Sequence, residues 1–413
     1  MNSKERKEKR YQRRQIKRKS KISSIPNQEF DTLFSFHNLY KSAKKCCNHA
    51  RWKSNIISFE TYLLKRIQEI YDAIHNGNRK FTGFHSFTST DRGKVREINS
   101  LPLNERTMQK CLCTNLLIPL FSRTFINDNS ACIKKKGMSF AFKRLTKQLS
   151  HHYRLYGHEG GIYQFDFKDY FLSLPHDEIK KRLRSKIKDD KIYNLASSFI
   201  DDFLFMKGSL RPNEPYGVSL GTEISYIMAL EFANPIDHYI KDILGIKGYG
   251  RYMDDGYIIS NSLSYLYLIR SLLHNLVEDY GVKLNDKKDK IIPFKSHSFT
   301  FLKMRIHLDE KGKIVMRLSK NSIKAMRRKL HKFRNWLDNP SSKHYKKIEF
   351  HDIVTSYQSW RAYAKLADSY RTLHNMDIYF IKLFENELRN YKHKLKCTVK
   401  AVYEDKGWKY NIY

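Results

Sequence analysis

Three aspartates set what chemistry this sequence can do. Asp254 and Asp255 are neighbours in Gly250-Arg251-Tyr252-Met253-Asp254-Asp255-Gly256-Tyr257-Ile258-Ile259, and Asp166 ends the earlier run Ile162-Tyr163-Gln164-Phe165. Apolar and aromatic residues flank the acid pair, which predicts a β-hairpin with the acids at its turn. Neighbouring side chains on a regular strand point to opposite faces, so both acids approach one ion only at a bend. A solvated Asp-Asp turn is the other reading of that stretch taken alone. Asp166 closes an apolar strand, where a carboxylate is costly unless it is paired or binds metal. Acids on two strands of one sheet can share two Mg²⁺ ions roughly 3.5–4 Å apart, which suits in-line displacement at phosphorus. Mg²⁺ keeps several waters, so two or three carboxylates plus substrate phosphates suffice. Mn²⁺ is the alternative ion.

Cations and glycines suited to phosphate lie around these acids in the sequence. Lys94-Val95-Arg96 puts two cations on one face of a predicted strand. A lysine point charge and an arginine fork can reach different oxygens of a triphosphate; a solvated strand face is the alternative. Lys134-Lys135-Lys136-Gly137 precedes a helix predicted from about Ser139, and a helix start favours phosphate. Gly221 stands at the mouth of another helix, where a ligand could come close to the backbone. Lys287-Lys288 follows Leu284-Asn285-Asp286 before a further strand, and Lys288 is expected to be mobile and to offset phosphate charge.

The elements needed to hold these groups are legible as periodicities. Helical spacing marks two helices within 29–78, with Phe30, Leu33, Phe34, Leu39 and Tyr40 on one face and Tyr62, Leu63, Ile67, Ile70 and Tyr71 on the next. Residues 80–101 read as extended, and a helix opens at Arg106 and Gln109. Further helices are expected from His176, over 191–207, after Thr222 and over about 262–280, with Pro235 ending or kinking the third. Asp169 reads as a cap or a solvated acid. Residues 299–318 read as one hairpin around Glu310-Lys311-Gly312. Beyond 319 come two basic helical stretches, the second over about 350–388. Their apolar residues suit a bundle core, and their basic faces, including Arg327 and Arg328, suit a nucleic-acid backbone.

Composition points the same way. The 413 residues hold 78 Lys and Arg against 42 acids, a net charge of +36, so a polyanion is the natural partner. Residues 1–24 are mostly basic or polar and read as a mobile or loosely helical nucleic-acid-binding arm, or a solubilising tail. Aromatics make up 14% of the chain and offer stacking surfaces for bases. No apolar run is long enough to span a bilayer and no secretory leader is evident, so a cytoplasmic protein without membrane contact is expected. The six cysteines lack zinc-ligand spacing and read as reduced structural thiols.

This constellation resembles the reverse transcriptases. Tyr252-Met253-Asp254-Asp255 matches their Tyr-X-Asp-Asp, and Asp166 followed by Tyr170-Phe171 matches the first palm motif. The motif order also fits, from Lys94-Val95-Arg96 through Lys287-Lys288 to Phe301-Leu302, with thumb-like basic helices afterwards. The resemblance implies an α+β right-hand polymerase fold, in which fingers and an antiparallel palm sheet flanked by helices precede a helical basic thumb. It divides the chain into a basic arm (1–28), N-terminal helices and fingers (29–160), a palm (161–306, with a fingers insertion within about 176–215), a hairpin and thumb (307–390) and a tail (391–413).

The family pattern implies that Asp166, Asp254 and Asp255 hold the metal, with the main-chain oxygen of Phe167 completing the site. One ion would activate a primer 3′-hydroxyl and the other steady the pyrophosphate. Phe171 would act as the gate against a 2′-hydroxyl. Lys94, Arg96, Gly221 and Lys288 would contact nucleotide, and Lys134, Lys135, Lys136, Tyr252, Arg327 and Arg328 nucleic acid. Expected partners are an RNA template or structured non-coding RNA, a DNA primer or product, and dNTPs, with oligomeric state left open.

The bacterial group of intron, diversity-generating and abortive-infection or defence enzymes looks nearest, because Lys136-Gly137-Met138-Ser139-Phe140-Ala141 resembles its fingers motif. Ser225-Tyr226 stands where diversity-generating enzymes have Ser-Gln, Phe301-Leu302-Lys303 where the primer grip has Phe-Leu-Gly, and Lys288-Asp289 where a Lys-Thr is usual. The thumb region lacks the Val-Thr-Gly of retron enzymes, and no endonuclease is expected after it. A domesticated or antiviral-defence enzyme with a dedicated RNA is therefore expected. A diversity-generating or intron-derived role, a template-independent or protein-primed DNA polymerase, and an RNA-binding protein with little catalysis are the alternatives.

Overall fold

The computed structural model describes residues 29–391 apart from 49–50, 52, 92–93, 208–214, 296–297 and 340–347, together with residues 5, 8–13 and 15–16. Most of the N-terminal arm and the tail beyond Tyr391 therefore lie outside the described residues. Two compact units divide the chain: one holds Met1–Arg144 and Ile162–Ile291, the other Leu145–Gly161 and Ile292–Tyr413.

The first unit holds most of a sheet with strand order β4-β5-β3-β6, where β3 is Gly161–Asp166, β4 Tyr249–Tyr252, β5 Asp255–Ser260 and β6 Lys290–Pro293. Strand β3 is buried on both faces apart from Gln164, which explains its near-continuous apolar run. Gly256 on β5 is required by close packing: a Cβ there would lie 2.2 Å from the Phe165 ring. A second ribbon pairs β1 (His85–Asp91) with β2 (Lys94–Ser100) in antiparallel register. Helices complete the core. The Glu223–Phe232 helix buries nearly its whole surface, and the Leu263–Asp279 helix buries Leu266, Ile269, Leu273 and Val277.

The expected pair of helices within 29–78 is four helical segments: Phe30–Leu33, Phe36–Cys47, Ser54–Thr61 and Leu63–His75. Tyr40 and Tyr62, expected on apolar faces, are exposed, since an aromatic ring at helical spacing need not reach the core. The helix after Thr222 ends at Phe232, and Pro235 occupies the first turn of a short helix, Asn234–His238.

The second unit carries a three-stranded antiparallel sheet, β7 (Phe299–Phe301), β8 (Met304–Leu308) and β9 (Ile314–Leu318). The expected single hairpin over 299–318 is thus two. Its first turn, Leu302-Lys303, carried no sequence signal, because both residues adopt positive φ (45° and 68°) without being Gly, Asn or Asp. The helix Lys320–Asp338 follows, with the Ser319 hydroxyl accepting from the Ser322 N–H as its N-cap. The expected stretch 350–388 breaks into Phe350–Ala364, Tyr370–Leu383 and Glu385–Arg389. Arg361 and Asp377, both buried, tie the first two together through three hydrogen bonds. No helix among the described residues is long and apolar enough to cross a membrane.

Candidate active site

The β4–β5 hairpin closes through two residues, Met253 and Asp254, with Tyr252 paired to Asp255. Met253 takes φ 58°, a conformation that costs a residue with a Cβ about 1–2 kcal/mol. The clamp that holds it is Arg251. Its fully buried guanidinium donates from Nη1 to the Met253 carbonyl at 2.7 Å. Its other edge makes a two-pronged pair with Asp237, Nε to Oδ1 at 2.8 Å and Nη2 to Oδ2 at 2.6 Å. The Tyr249 hydroxyl also donates to Asp237. Arg251 and Asp237 were missed as site residues. The available signal was a cation inside an apolar strand, which must find a partner when buried.

Asp166 emerges from β3 beside this turn. The Phe167 N–H donates to the Asp254 carbonyl at 3.4 Å, and the Asn285 N–H to the Asp166 carbonyl at 2.8 Å. The Asn285 amide also donates to Asp166 Oδ1 at 3.2 Å, so Asn285 is a second missed positioning residue. One carboxylate oxygen from each of Asp166, Asp254 and Asp255 lies within 4.8 Å of the others. Burial raises the Asp254 carboxyl above the usual range, and the neighbouring Asp166 charge adds to it. Burial and the hydrogen bond with Asp166 push Asp255 up to about 7. Lys288 stands among the acids: its ammonium bonds Asp166 Oδ2 and, at 3.1 Å, Asp255 Oδ1. Burial alone would lower its pKa, but the two acids overturn that and raise it.

The remaining expected residues fall in several places. Phe171 is half-buried, edge-on to Tyr226 with ring centroids 5.3 Å apart. Gly221 has φ +121°, and a Cβ there would meet the Asn99 carbonyl at 2.9 Å. The Asn99 N–H donates to the Leu220 carbonyl at 2.8 Å, which pins β2 to this loop. Strand β2 starts at Lys94 and exposes Arg96, whose charge acts on Asp254. Tyr252 is half-buried at the end of β4. Asp169 has φ 45° and caps nothing through its side chain, so it is a solvated acid.

Of the lysine run, Lys134 and Lys135 are exposed. Lys136 is engaged structurally, donating to the Asn127 and Asn129 carbonyls at 2.7 and 3.0 Å. Arg327 and Arg328 are exposed on the second unit's Lys320–Asp338 helix, Arg327 over the Tyr379 ring at 5.2 Å.

Residues 79–306, more than half of the chain, match the family described as reverse transcriptase (RNA-dependent DNA polymerase). The chain belongs to the reverse transcriptase family. No curated protein matches it. Among solved structures, apo telomerase from Candida tropicalis truncated of its C-terminal domain is similar at 13% identity, covering 57% of this chain and 55% of that one, TM-score 0.44. Telomerase from Candida albicans in complex with a fragment of telomeric RNA is similar at 12% identity, covering 85% and 71%, TM-score 0.45. The chain thus spans just over half the length of the first of these.

As expected, this reverse transcriptase has the α+β polymerase fold. Its carboxylate trio fits divalent metal on its own terms. Three acids crowd together, two of them pushed toward the protonated form, and a lysine ammonium stands among them as the compensating cation.

Proposed function

We propose that this reverse transcriptase adds deoxynucleotides to a 3′-hydroxyl under the direction of an RNA template. The carrying observation is the convergence of Asp166, Asp254 and Asp255 within 4.8 Å at a hairpin turn. These residues, with the Phe167 main-chain oxygen, would hold two Mg²⁺ ions, which supply activation of the attacking hydroxyl and neutralisation of the departing pyrophosphate. The chain's own part is positioning and electrostatics. Arg251 holds the turn, Asn285 holds Asp166, and Arg96 with Lys94 receives the triphosphate on β2. Lys288, which compensates the acids' charge, would turn that charge to the phosphates of a bound nucleotide. Phe171 excludes a ribose 2′-hydroxyl by filling its space.

We place the enzyme with the bacterial intron-like, diversity-generating and defence-associated group, working on a dedicated RNA in a domesticated or defence role. The motif departures support that reading. One of them, Tyr226, lies edge-on against Phe171; the changed motif leaves as second reading a synthesis that does not follow a template base by base.

Incorporation of labelled dNTP on an RNA-template, DNA-primer substrate with Mg²⁺ tests the assignment. Asp254→Ala with Asp255→Ala should lose activity by at least about a thousandfold, given that metal stabilisation is worth several kcal/mol. Equal incorporation by the double variant removes the catalytic role. Product sequence separates the two readings: templated synthesis copies the RNA, and untemplated synthesis ignores it.

A further inference from the structure

The three-stranded sheet of the second unit has two unlike faces. Phe299, Phe301, Met304, Ile306, Leu308 and Leu318 are buried on one. The other presents Thr300, Arg305, His307 and Arg317, since alternate residues share a face. Thr300 is paired with Arg305, and Arg305 with Arg317, directly across the strands. Like charges directly opposite each other destabilise a sheet. Among the described residues neither arginine forms an ion pair. Arg305 Nε donates to the Ser298 hydroxyl at 2.7 Å and Arg317 Nη1 to the Asp368 carbonyl, so each spends donors on a neutral oxygen and keeps its charge. The Asp368 carboxylate accepts from the Met316 N–H at 2.9 Å.

These side chains line a cleft of about 610 Å³ that also receives Lys295 and Lys320, and among the described residues its walls hold no acid. Among the described residues Lys295 pairs with Glu159, and both lie on the open surface. A concave site with four Lys and Arg side chains, a histidine ring and no carboxylate in its walls is complementary to a row of phosphates. Arginine forks suit phosphate oxygens, and the His307 ring can stack a base. A small basic cleft that tracks a backbone, with a ring beside it to stack an unpaired base, suits one strand, because the bases of a duplex are already stacked within it.

We propose that this cleft is a phosphodiester-binding site that holds a single-stranded segment of RNA, with Arg305 and Arg317 as the phosphate ligands. It is a different surface from the hairpin tip at Leu302-Lys303 and from the exposed Arg327 and Arg328. It does not depend on synthesis, so its test uses the full chain carrying Asp254→Ala and Asp255→Ala, without metal.

The measurement is fluorescence anisotropy of a labelled 12-nucleotide single-stranded RNA across a salt series. Arg305→Gln with Arg317→Gln should weaken binding at least tenfold at moderate salt. The log–log salt slope should become shallower by about 1.4, which is about 0.7 for each phosphate that the variant no longer neutralises on a single strand. Arg305→Lys with Arg317→Lys should keep most of the slope. A 12-base-pair duplex should lose much less affinity. An unchanged single-strand slope in the Gln variant overturns the site, and equal loss with the duplex overturns the single-strand assignment. Displacement of the RNA by a free nucleoside triphosphate at stoichiometric concentration overturns the strand proposal in favour of a nucleotide site. Should the Gln variant unfold, Thr300→Glu sets an acid beside Arg305. Single-strand affinity should then fall in the same direction, and unchanged affinity again refutes the cleft.

Discussion

Each unit contains a hairpin closed by two residues, and the two hairpins handle charge in opposite ways. In the first, β4 and β5 turn through Met253-Asp254, with positive φ at the first position only. In the second, β7 and β8 turn through Leu302-Lys303, with positive φ at both. The first hairpin buries its arginine completely, pairs it with Asp237 and aims its acids at one another. The second leaves Arg305 exposed, opposite another arginine. A buried ion pair adds little net stability but fixes geometry, because breaking it strands a charge. An exposed like-charge pair weakens its sheet and stays available to a ligand. The contrast is between a hairpin built to hold a shape and one built to meet a polyanion.

The comparison breaks most visibly at Arg251. Arg251→Met leaves Asp237 buried without its partner, and unfolding should become easier by about 3–5 kcal/mol. Chemical denaturation with urea measures this. Adding Asp237→Leu removes the stranded acid and should restore much of the stability. Activity should not return with it, because the Met253 carbonyl still lacks its donor. Full activity in the stable double variant would show that Arg251 serves folding alone.

A smaller effect is expected where Lys288 meets the acids. Asp255 is pushed up to about 7, so in the metal-free protein it keeps its proton through mildly acidic pH. Metal must displace that proton, so Mn²⁺ binding read by electron paramagnetic resonance should strengthen as pH rises through about 7. The folded state holds a proton that the unfolded chain has released by pH 5. Metal-free stability should therefore fall as pH rises from the ordinary carboxylate range toward 7. Lys288→Ala removes a charge that favours the carboxylate. The pH of half-maximal Mn²⁺ binding should move upward by about one unit. A downward shift or none would mean that Lys288 does not compensate the trio.

Much of this architecture is legible in the sequence where apolar periodicity and special residues agree. The run Ile162-Tyr163-Gln164-Phe165 marks β3, and acids between apolar runs mark the β4–β5 turn. What stayed hidden depends on long-range partners. Nothing near Arg251 in the chain points to Asp237 on another element, and Asn285 reads as a loop residue until Asp166 is beside it. Lys136 looked like a phosphate ligand because its acceptors are main-chain carbonyls, which composition does not display. The break at 365–369 was invisible for a related reason. It is stabilised by the Asp368 N–H donating to the Met316 carbonyl, a bond made to another element.

The subtlest difference between the hairpins is backbone strain. Met253, Leu302 and Lys303 all sit at positive φ, where glycine has no steric cost. Leu302→Gly should relieve that strain and stabilise the second hairpin by up to about 1 kcal/mol, partly offset by glycine's greater freedom in the unfolded chain. Leu302 stands in the stretch matched to the primer grip, so any loss should appear in the primer KM, while kcat for dNTP incorporation on a saturating primer should change less than twofold. Met253→Gly should give a similar small change in stability, measured by thermal unfolding. There, however, the added backbone freedom lies next to Asp254, and kcat should drop several-fold while nucleotide KM barely moves, as expected when positioning is lost only in the transition state. Equal kinetic responses at both turns would mean that the Arg251 clamp, not the Met253 backbone, sets the position of the acids.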